Sequence, residues 1–280
     1  MKKYLRSGIP SKVEYKLLLE SAEFHEMEMF STQFLANHRS VLARFAKKWV
    51  SDPLHQWSRQ WEYPFVFGRI ESSLTNTGKP RILDAGSGVT FFPYYLKQKI
   101  NSAEVYCCDS DESLEAIYRV INGSVQSGVE FTRADMRKLP FQDDWFDAVY
   151  CISVLEHTDN YEEIIDDFHR VLTPGGKLIV TFDISLDGTR DISIERAAKL
   201  IDALNKKFDS DDPTDDALKT DLSNPDIFTT LSAREIDANL LPWKYPAIIY
   251  RVRAMMTGKT IGNWPPLLSA YCLSLTKSRT

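Results

Sequence analysis

Arg81-Ile82-Leu83-Asp84-Ala85-Gly86-Ser87-Gly88-Val89-Thr90 decides how this chain is read: a short apolar strand runs into an acidic residue and then a glycine-spaced turn. Glycine lacks a Cβ and tolerates positive φ, so the N–H groups of such a turn can approach a polar ligand closely. The turn alone occurs in many nucleotide-binding folds. Its weight comes from four segments that follow it in order. Val105-Tyr106-Cys107-Cys108-Asp109 is an apolar run ending in a carboxylate. An acid at the end of the second strand of a doubly wound sheet can accept hydrogen bonds from both hydroxyls of a ribose. Val129-Glu130-Phe131-Thr132-Arg133-Ala134-Asp135-Met136 alternates and again ends in an acid. The apolar run from Trp145 to His157 follows, and then Leu172-Thr173-Pro174-Gly175-Gly176 turns into a strand that ends at Asp183. Strand and helix alternating with short turns predicts an α/β fold with a parallel sheet. Ligands of such sheets sit beyond the carboxyl ends of the strands, where all of these acids fall except Asp147, which begins its strand.

Around this core, about 80–185, the chain divides into an N-terminal helical cap (1–79), a substrate-side region (186–268) and a last strand (269–280). The cap is predicted helical from about 11 to 75, on apolar faces that include Phe24, Met27, Phe34, Phe45 and Trp49. Asp52-Pro53 and Tyr63-Pro64 punctuate it, and residues 76–80 mark the entry to the core. Beyond the core come a helix near Ile194 to Phe208, an acidic loop over 209–216, and a helix from Ser232 with Glu235 closing a capping box.

Composition sets outer bounds. The chain has 280 residues, 43% apolar and 26% charged, as in an ordinary globular protein. A net charge of −5 argues against nucleic acid as the main partner, since binding phosphates needs a clustered basic surface. No apolar run is long enough to span a bilayer, so membrane insertion is not expected. The basic start, Met1-Lys2-Lys3, lacks the apolar core of a secretion signal. Four cysteines form neither a disulfide framework nor a zinc spacing, and a reducing cytoplasm is the expected compartment.

Taken together, the ordered segments resemble a class I S-adenosylmethionine-dependent methyltransferase of the broad small-molecule branch. The resemblance covers about residues 80–185 and the final strand. It implies a doubly wound, mostly parallel seven-stranded sheet, with an insertion before the last strand, and S-adenosyl-L-methionine as cofactor. It also implies site roles. Asp84, Gly86, Ser87 and Gly88 would cradle the methionine part of the donor. Asp109, followed by Ser110, would bind the ribose hydroxyls. Asp135 and the Met136 amide would read adenine, and Cys151, Ile152 and Ser153 would lie under the sulfonium. One departure is Thr90, where a third glycine often stands. Blander readings stand beside these: Asp84 as a helix cap, Asp109 and Asp135 as turn acids, and Cys107, Cys108 and Cys272 as small buried apolar groups.

Methyl transfer needs an aligned nucleophile and, for a hydroxyl or amine, somewhere for its proton to go. His157 is the first candidate base, also readable as a group that packs or positions the cofactor, and Asp183 at the end of the fifth strand is the second. Gln60-Trp61-Glu62-Tyr63-Pro64-Phe65 lies where similar enzymes fold a lid; Trp61 and Tyr63 would either wall the acceptor pocket or, as the first reading, simply pack as aromatics, and Arg59 or Glu62 would bond a polar substrate or the cofactor. No metal is expected. Asp183-Ile184-Ser185-Leu186-Asp187-Gly188 starts like a calcium loop, but Ile194 stands where its terminal acid belongs. The aspartates of 209–216 read as a solvated loop rather than a magnesium site. The expected function is methylation of a small or medium polar acceptor, a sugar, glycan precursor or secondary metabolite, on oxygen before nitrogen, with carbon open. The alternatives are a nicotinamide-dependent oxidoreductase and a non-catalytic binding protein. Oligomeric state is not legible in the sequence.

Overall fold

The computed structural model describes residues 5–48, 51–74, 78–126, 128–190, 192–212, 217–244, 246–257 and 261–279. Three helices come first, α1 (Lys12–Leu19), α2 (Ala22–Lys48) and α3 (Arg59–Ser73). The core then alternates β1 (Arg81–Ala85), α4 (Phe92–Lys99), β2 (Glu104–Asp109), α5 (Leu114–Asn122), β3 (Glu130–Arg133), β4 (Phe146–Ile152), α6 (Tyr161–Val171) and β5 (Leu172–Ser185). After it follow β6 (Ile192–Ser193), α7 (Ile194–Asn205), β7 (Asp209–Ser210), α8 (Ala217–Ser223), α9 (Thr230–Ile236), α10 (Ala247–Thr257) and β8 (Leu268–Thr276).

The sheet runs β3-β2-β1-β4-β5-β8-β7, with the two-residue β6 beside β5 as an eighth strand. β1 to β5 pair in parallel, and β8 lies antiparallel between β5 and β7. The α/β, mostly parallel architecture expected from the sequence is therefore present, with β6 as an addition. The chain steps outward from β1 to β3 and then crosses back to β4. That reversal leaves a crevice at the carboxyl ends of β1 and β4.

Alternation along each strand divides the core between the two faces of the sheet. Ile82, Ala148, Tyr150, Ile179 and Cys272 pack with the N-terminal helices, including Phe24, Phe34, Trp61 and Phe65. Leu83, Val149, Cys151, Val180 and Tyr271 pack on the other side with Phe168 of α6 and Leu200 and Leu204 of α7. All four cysteines are free and buried. Among the described residues no helix is long and apolar enough to cross a membrane.

Three local expectations need correction. Pro64 does not end a helix; it lies inside α3, which buries Trp61, Tyr63, Phe65, Val66, Phe67 and Ile70. Burial of that face outweighs the local cost of a missing N–H. The capping box of α9 falls three residues earlier than expected, between Thr229 and Ser232, while Glu235 is exposed. The acidic stretch is not wholly a solvated loop. Asp209 and Ser210 form β7, and Asp211 accepts from Lys177 Nζ at 2.7 Å and from the Ser274 and Thr276 hydroxyls. Residues 213–216, like Trp49, Asn76 and Thr77, lie outside the described residues.

His55 ties the N-terminal helices together. Its Nδ1 lies 2.7 Å from Asp52 Oδ2 and its Nε2 2.9 Å from Glu28 Oε1 on α2. The hydrogen bond to Asp52, opposed by burial and helped by Glu28, lifts the imidazole to about 9. A folded-state value above the unfolded one stabilises fully below about pH 6.5 and is lost as pH rises through 9. Because the ring is 36% exposed, the gain is discounted to about 1 kcal/mol. His55→Gln should therefore melt lower than the parent at pH 6 and equal to it near pH 10, as read by circular dichroism.

Candidate active site

A cleft of about 1160 Å³ opens at the carboxyl ends of β1, β2 and β4. Its floor is the turn after β1. Gly86 and Gly88 have φ of +76° and +51°, a region that favours glycine. The N–H groups of Gly86 and Ser87 both donate to the Cys108 carbonyl, at 2.9 and 3.0 Å. Gly88 N donates to Asp109 Oδ2 at 3.0 Å, and Asp111 N to Asp109 Oδ1 at 3.0 Å. The Tyr118 hydroxyl donates to the Gly88 carbonyl at 2.9 Å. The turn is thus fixed to the end of β2 and cannot drift. A Cβ on Gly86 would come within 2.8 Å of Val154, and one on Gly88 within 3.0 Å of the Phe45 ring at the end of α2. Thr90 keeps the first turn of α4 in order by accepting from Phe92 N at 3.3 Å.

Of the residues singled out from the sequence, Asp84, Gly86, Ser87, Gly88, Asp109, Ser110, Asp135, Met136, Ile152, Ser153 and His157 line this one cleft. Cys151 does not: strand alternation turns it into the opposite face, where it is fully buried with Val149 and Phe168. Asp183 is not among the lining residues either. It lies on β5 behind the cleft wall, its backbone N–H donating to Glu156 Oε1 at 3.3 Å. His157 sits exposed at the rim, in a 3₁₀ turn over Leu155–His157. Asp135 is half exposed and ion-paired with Arg137, whose Nε lies 3.0 Å from both carboxylate oxygens.

Of the expected lid residues, Tyr63 reaches the cleft and packs on Phe91 and Phe92, whereas Trp61 is buried in the core away from it. Arg59 also lines the cleft and donates to both Glu62 and the Ser153 hydroxyl. Ser153 in turn donates to Glu62 Oε1 at 2.7 Å. Ser153 reaches this geometry at φ +48°, an uncommon region for serine, held by its N–H bond to Thr181 O at 2.8 Å.

Charge in this region is concentrated and largely buried. Burial works against the Arg59 cation, but Glu62, Tyr63 and Asp183 outweigh it and hold the guanidinium charged. Burial and then the Asp109 charge push Asp84 up to about 8, with Arg59 offsetting part of the rise. Burial also raises the Glu156 carboxyl, and Glu62 adds to the effect. Glu156 Oε2 has no hydrogen-bond partner among the described residues. Sequence reasoning did not give Glu156 a role of its own. Its only signal was a carboxylate directly before His157, at a position that gives no hint of burial.

The metal-like motif is structural. Asp187 Oδ1 accepts from Ser185 Oγ, Thr189 N and Thr189 Oγ1, and Oδ2 accepts from Asn263 N and Nδ2. These bonds, against the opposing effect of burial, hold it down at about 2. Among the described residues no cluster of three or more His, Cys, Asp or Glu is placed to hold a metal ion.

Strand order, glycine turn and acid-lined cleft together define the class I methyltransferase architecture, and residues 83–180 match the family described as methyltransferase domain. The match covers well under half of the chain, and that segment is similar to methyltransferase domains. The chain is 36% identical over 100 residues to demethylmenaquinone methyltransferase of Thermus thermophilus, covering 36% of this chain and 46% of that protein. It is 32% identical over 114 residues to the ubiquinone/menaquinone biosynthesis C-methyltransferase of Pseudomonas entomophila, covering 40% and 44%. In each case the match spans less than half of the relative's length. The fold is similar to geranyl diphosphate C-methyltransferase of Streptomyces coelicolor, solved with S-adenosyl-L-homocysteine, at a TM-score of 0.53, 13% identity and coverage of 76% and 75%.

Proposed function

We propose that the chain transfers a methyl group from S-adenosyl-L-methionine to a small or medium-sized acceptor held between the strand ends and helix α3. The bare cradle at Gly86–Gly88 carries this reading, because glycines at 86 and 88, both at positive φ and without room for a Cβ, leave backbone rather than side chain on the cleft floor. Acids along one wall suit a donor bearing an ammonium and a sulfonium. In the proposed arrangement Asp84 and the Gly86–Gly88 backbone take the amino-acid end. Asp109 and Ser110 take the ribose, and Asp135 with the Met136 amide takes adenine, once Arg137 yields the Asp135 carboxylate. Ile152 and Ser153 flank the reacting centre.

The bound donor supplies an activated methyl electrophile. The protein's part is to hold the nucleophile in line at near contact, exclude water and accept a proton where the acceptor has one to lose. Arg59, fixed by Glu62 and Ser153, presents a charged donor in the cleft wall for a polar group of the acceptor. His157 at the rim is the proposed proton acceptor. Asp183 behind the wall acts on the reaction through Arg59 and Glu156 rather than by contact.

The sequence favours an oxygen acceptor of sugar type. The two quinone-pathway relatives, one of them named a C-methyltransferase, move our proposal toward an amphipathic ring compound methylated on carbon or oxygen. Incubating the protein with methyl-labelled donor and fractionated extract, separately for lipid and aqueous fractions, tests this. Label in a lipid-fraction product supports the amphipathic acceptor, and label confined to water-soluble glycans restores the sugar reading. An oxidoreductase would instead bind a nicotinamide dinucleotide and not the methyl donor. Asp109→Ala should weaken donor binding by about 1–3 kcal/mol through loss of charge-assisted hydrogen bonds. Calorimetric titration showing unchanged affinity would remove Asp109 from the ribose site.

A further inference from the structure

Helix α10 buries one side and leaves the other bare. Tyr250 and Ala254 face inward, while Ile248, Ile249, Val252, Met255 and Met256 are exposed, Met256 at 83% and Ile248 at 66%. Spacings of one, four, seven and eight residues from Ile248 put these five on one continuous stripe of the helix. Single exposed apolar residues are ordinary, whereas a contiguous apolar stripe marks a contact surface. At about 100° per residue, Arg251 falls on one margin of the stripe. Arg251 is exposed.

The stretch of sequence that carries the stripe is one-sided in charge. From Ala238 to Thr280 the sequence holds no Asp or Glu, yet it holds Lys244, Arg251, Arg253 and Lys259 in or beside α10, in a chain whose net charge is −5. Two half-buried tryptophans, Trp243 and Trp264, sit at the base of the helix with ring centroids 6.5 Å apart, and Tyr250 stacks on Trp264 at 4.8 Å. An apolar stripe edged by an exposed arginine, in a basic stretch of sequence with tryptophans at its base, is the pattern of a helix that lies in a lipid headgroup layer.

Position within the fold points the same way. The carboxyl end of β5, at Ser185, pairs with the start of β8 at Leu268, directly after the segment that follows α10. Asp187, just past β5, bonds Asn263, and Arg190 lies over the Tyr250 ring. The helix therefore stands on the same rim of the sheet as the cleft mouth.

We infer that the exposed face of α10 docks the protein on an anionic lipid bilayer, lying on the surface without spanning it. Each basic residue near such a surface adds to the attraction, which salt screens. The inference stands on this surface alone and not on the methyl donor. The test is co-sedimentation of the full chain with vesicles of equimolar phosphatidylcholine and phosphatidylglycerol, against vesicles of phosphatidylcholine alone. The expected result is binding to the mixed vesicles that high salt weakens, with little binding to the neutral ones. Ile248→Ser/Met255→Ser/Met256→Ser and, separately, Arg251→Glu/Arg253→Glu should each lower vesicle affinity by about tenfold or more. Both variants should keep the parent melting temperature and donor affinity. Protein that stays in the supernatant with both vesicle types overturns the proposal. So does a dimer in light scattering that the serine variant dissolves, since a second copy of the chain would then cover the stripe. Donor binding, titrated on the same samples, separates failure of this inference from failure of the methyltransferase reading.

Discussion

Glu62→Ala is expected to lower the melting temperature by about 6–12 °C and to abolish turnover. Glu62 is fully buried, and its carboxylate meets Arg59 and the Ser153 hydroxyl. Removing one partner of a buried ion pair costs about 3–5 kcal/mol, because the remaining charge is left without compensation. Arg59 is 23% exposed and can recruit some water, so the low end, about 3 kcal/mol, applies here. In a chain of this size each kcal/mol moves the melting temperature by about 2–4 °C. Arg59→Met/Glu62→Leu removes both charges and should regain most of the stability without regaining activity. Melting curves and donor-transfer rates for both variants make the check. A Glu62→Ala protein that melts within about 2 °C of the parent would show that the pair contributes little.

Asp84→Asn should uncouple donor binding from proton release. With its carboxyl lifted to about 8 in the folded chain, Asp84 stays protonated near neutrality, whereas the unfolded chain ionises it near 4. Stability therefore falls as pH rises between those values, and above about 8 the cost remains in full. A tenfold change in an ionisation constant is worth about 1.4 kcal/mol, so the cost at pH 8 is on the order of a few kcal/mol. Asn removes it, and the variant without ligand should melt higher than the parent at pH 8 and equal to it at pH 4. Bound beside Asp84, a cationic donor would favour the carboxylate, so parent binding at pH 7 should release protons. Calorimetry in buffers of different ionisation enthalpy reads this release directly. The variant should show none, and its donor affinity should fall about 10- to 100-fold, since hydrogen bonds to a charged group contribute about 1.5–3 kcal/mol. Equal proton release from parent and variant would place the linkage on another group.

Much of the cleft was legible because its residues follow one another at strand ends. The Asp84–Gly88 turn, Asp109 with Ser110, and Asp135 with Met136 each lie where a strand stops, and the parallel sheet brings those stops to one rim. Cys151 was misplaced for a related reason. It adjoins the cleft residues Ile152 and Ser153 in sequence, but the two-residue period of a strand turns it to the other face. The buried cluster of Arg59, Glu62, Ser153, Glu156 and Asp183 was only partly visible. Its members come from α3, the end of β4 and β5, far apart in the chain, and a charged residue's burial leaves no local sequence mark. Helix α3 running through Pro64 shows the same limit, since packing against the sheet overrides a local break signal. The acidic stretch misled because composition suggests solvation, while Lys177, Ser274 and Thr276 bind Asp211 from distant strands.

A crystal of the full chain grown with S-adenosyl-L-homocysteine tests the central claim most directly. The compound should lie along the β1 turn, its amino-acid end at Gly86–Gly88, its ribose on Asp109 and its adenine at Asp135, with the Asp135–Arg137 pair opened. Density for the compound outside this cleft, or a crystal at saturating compound in which Phe45 and Arg137 keep their present contacts and the turn binds nothing, would contradict it.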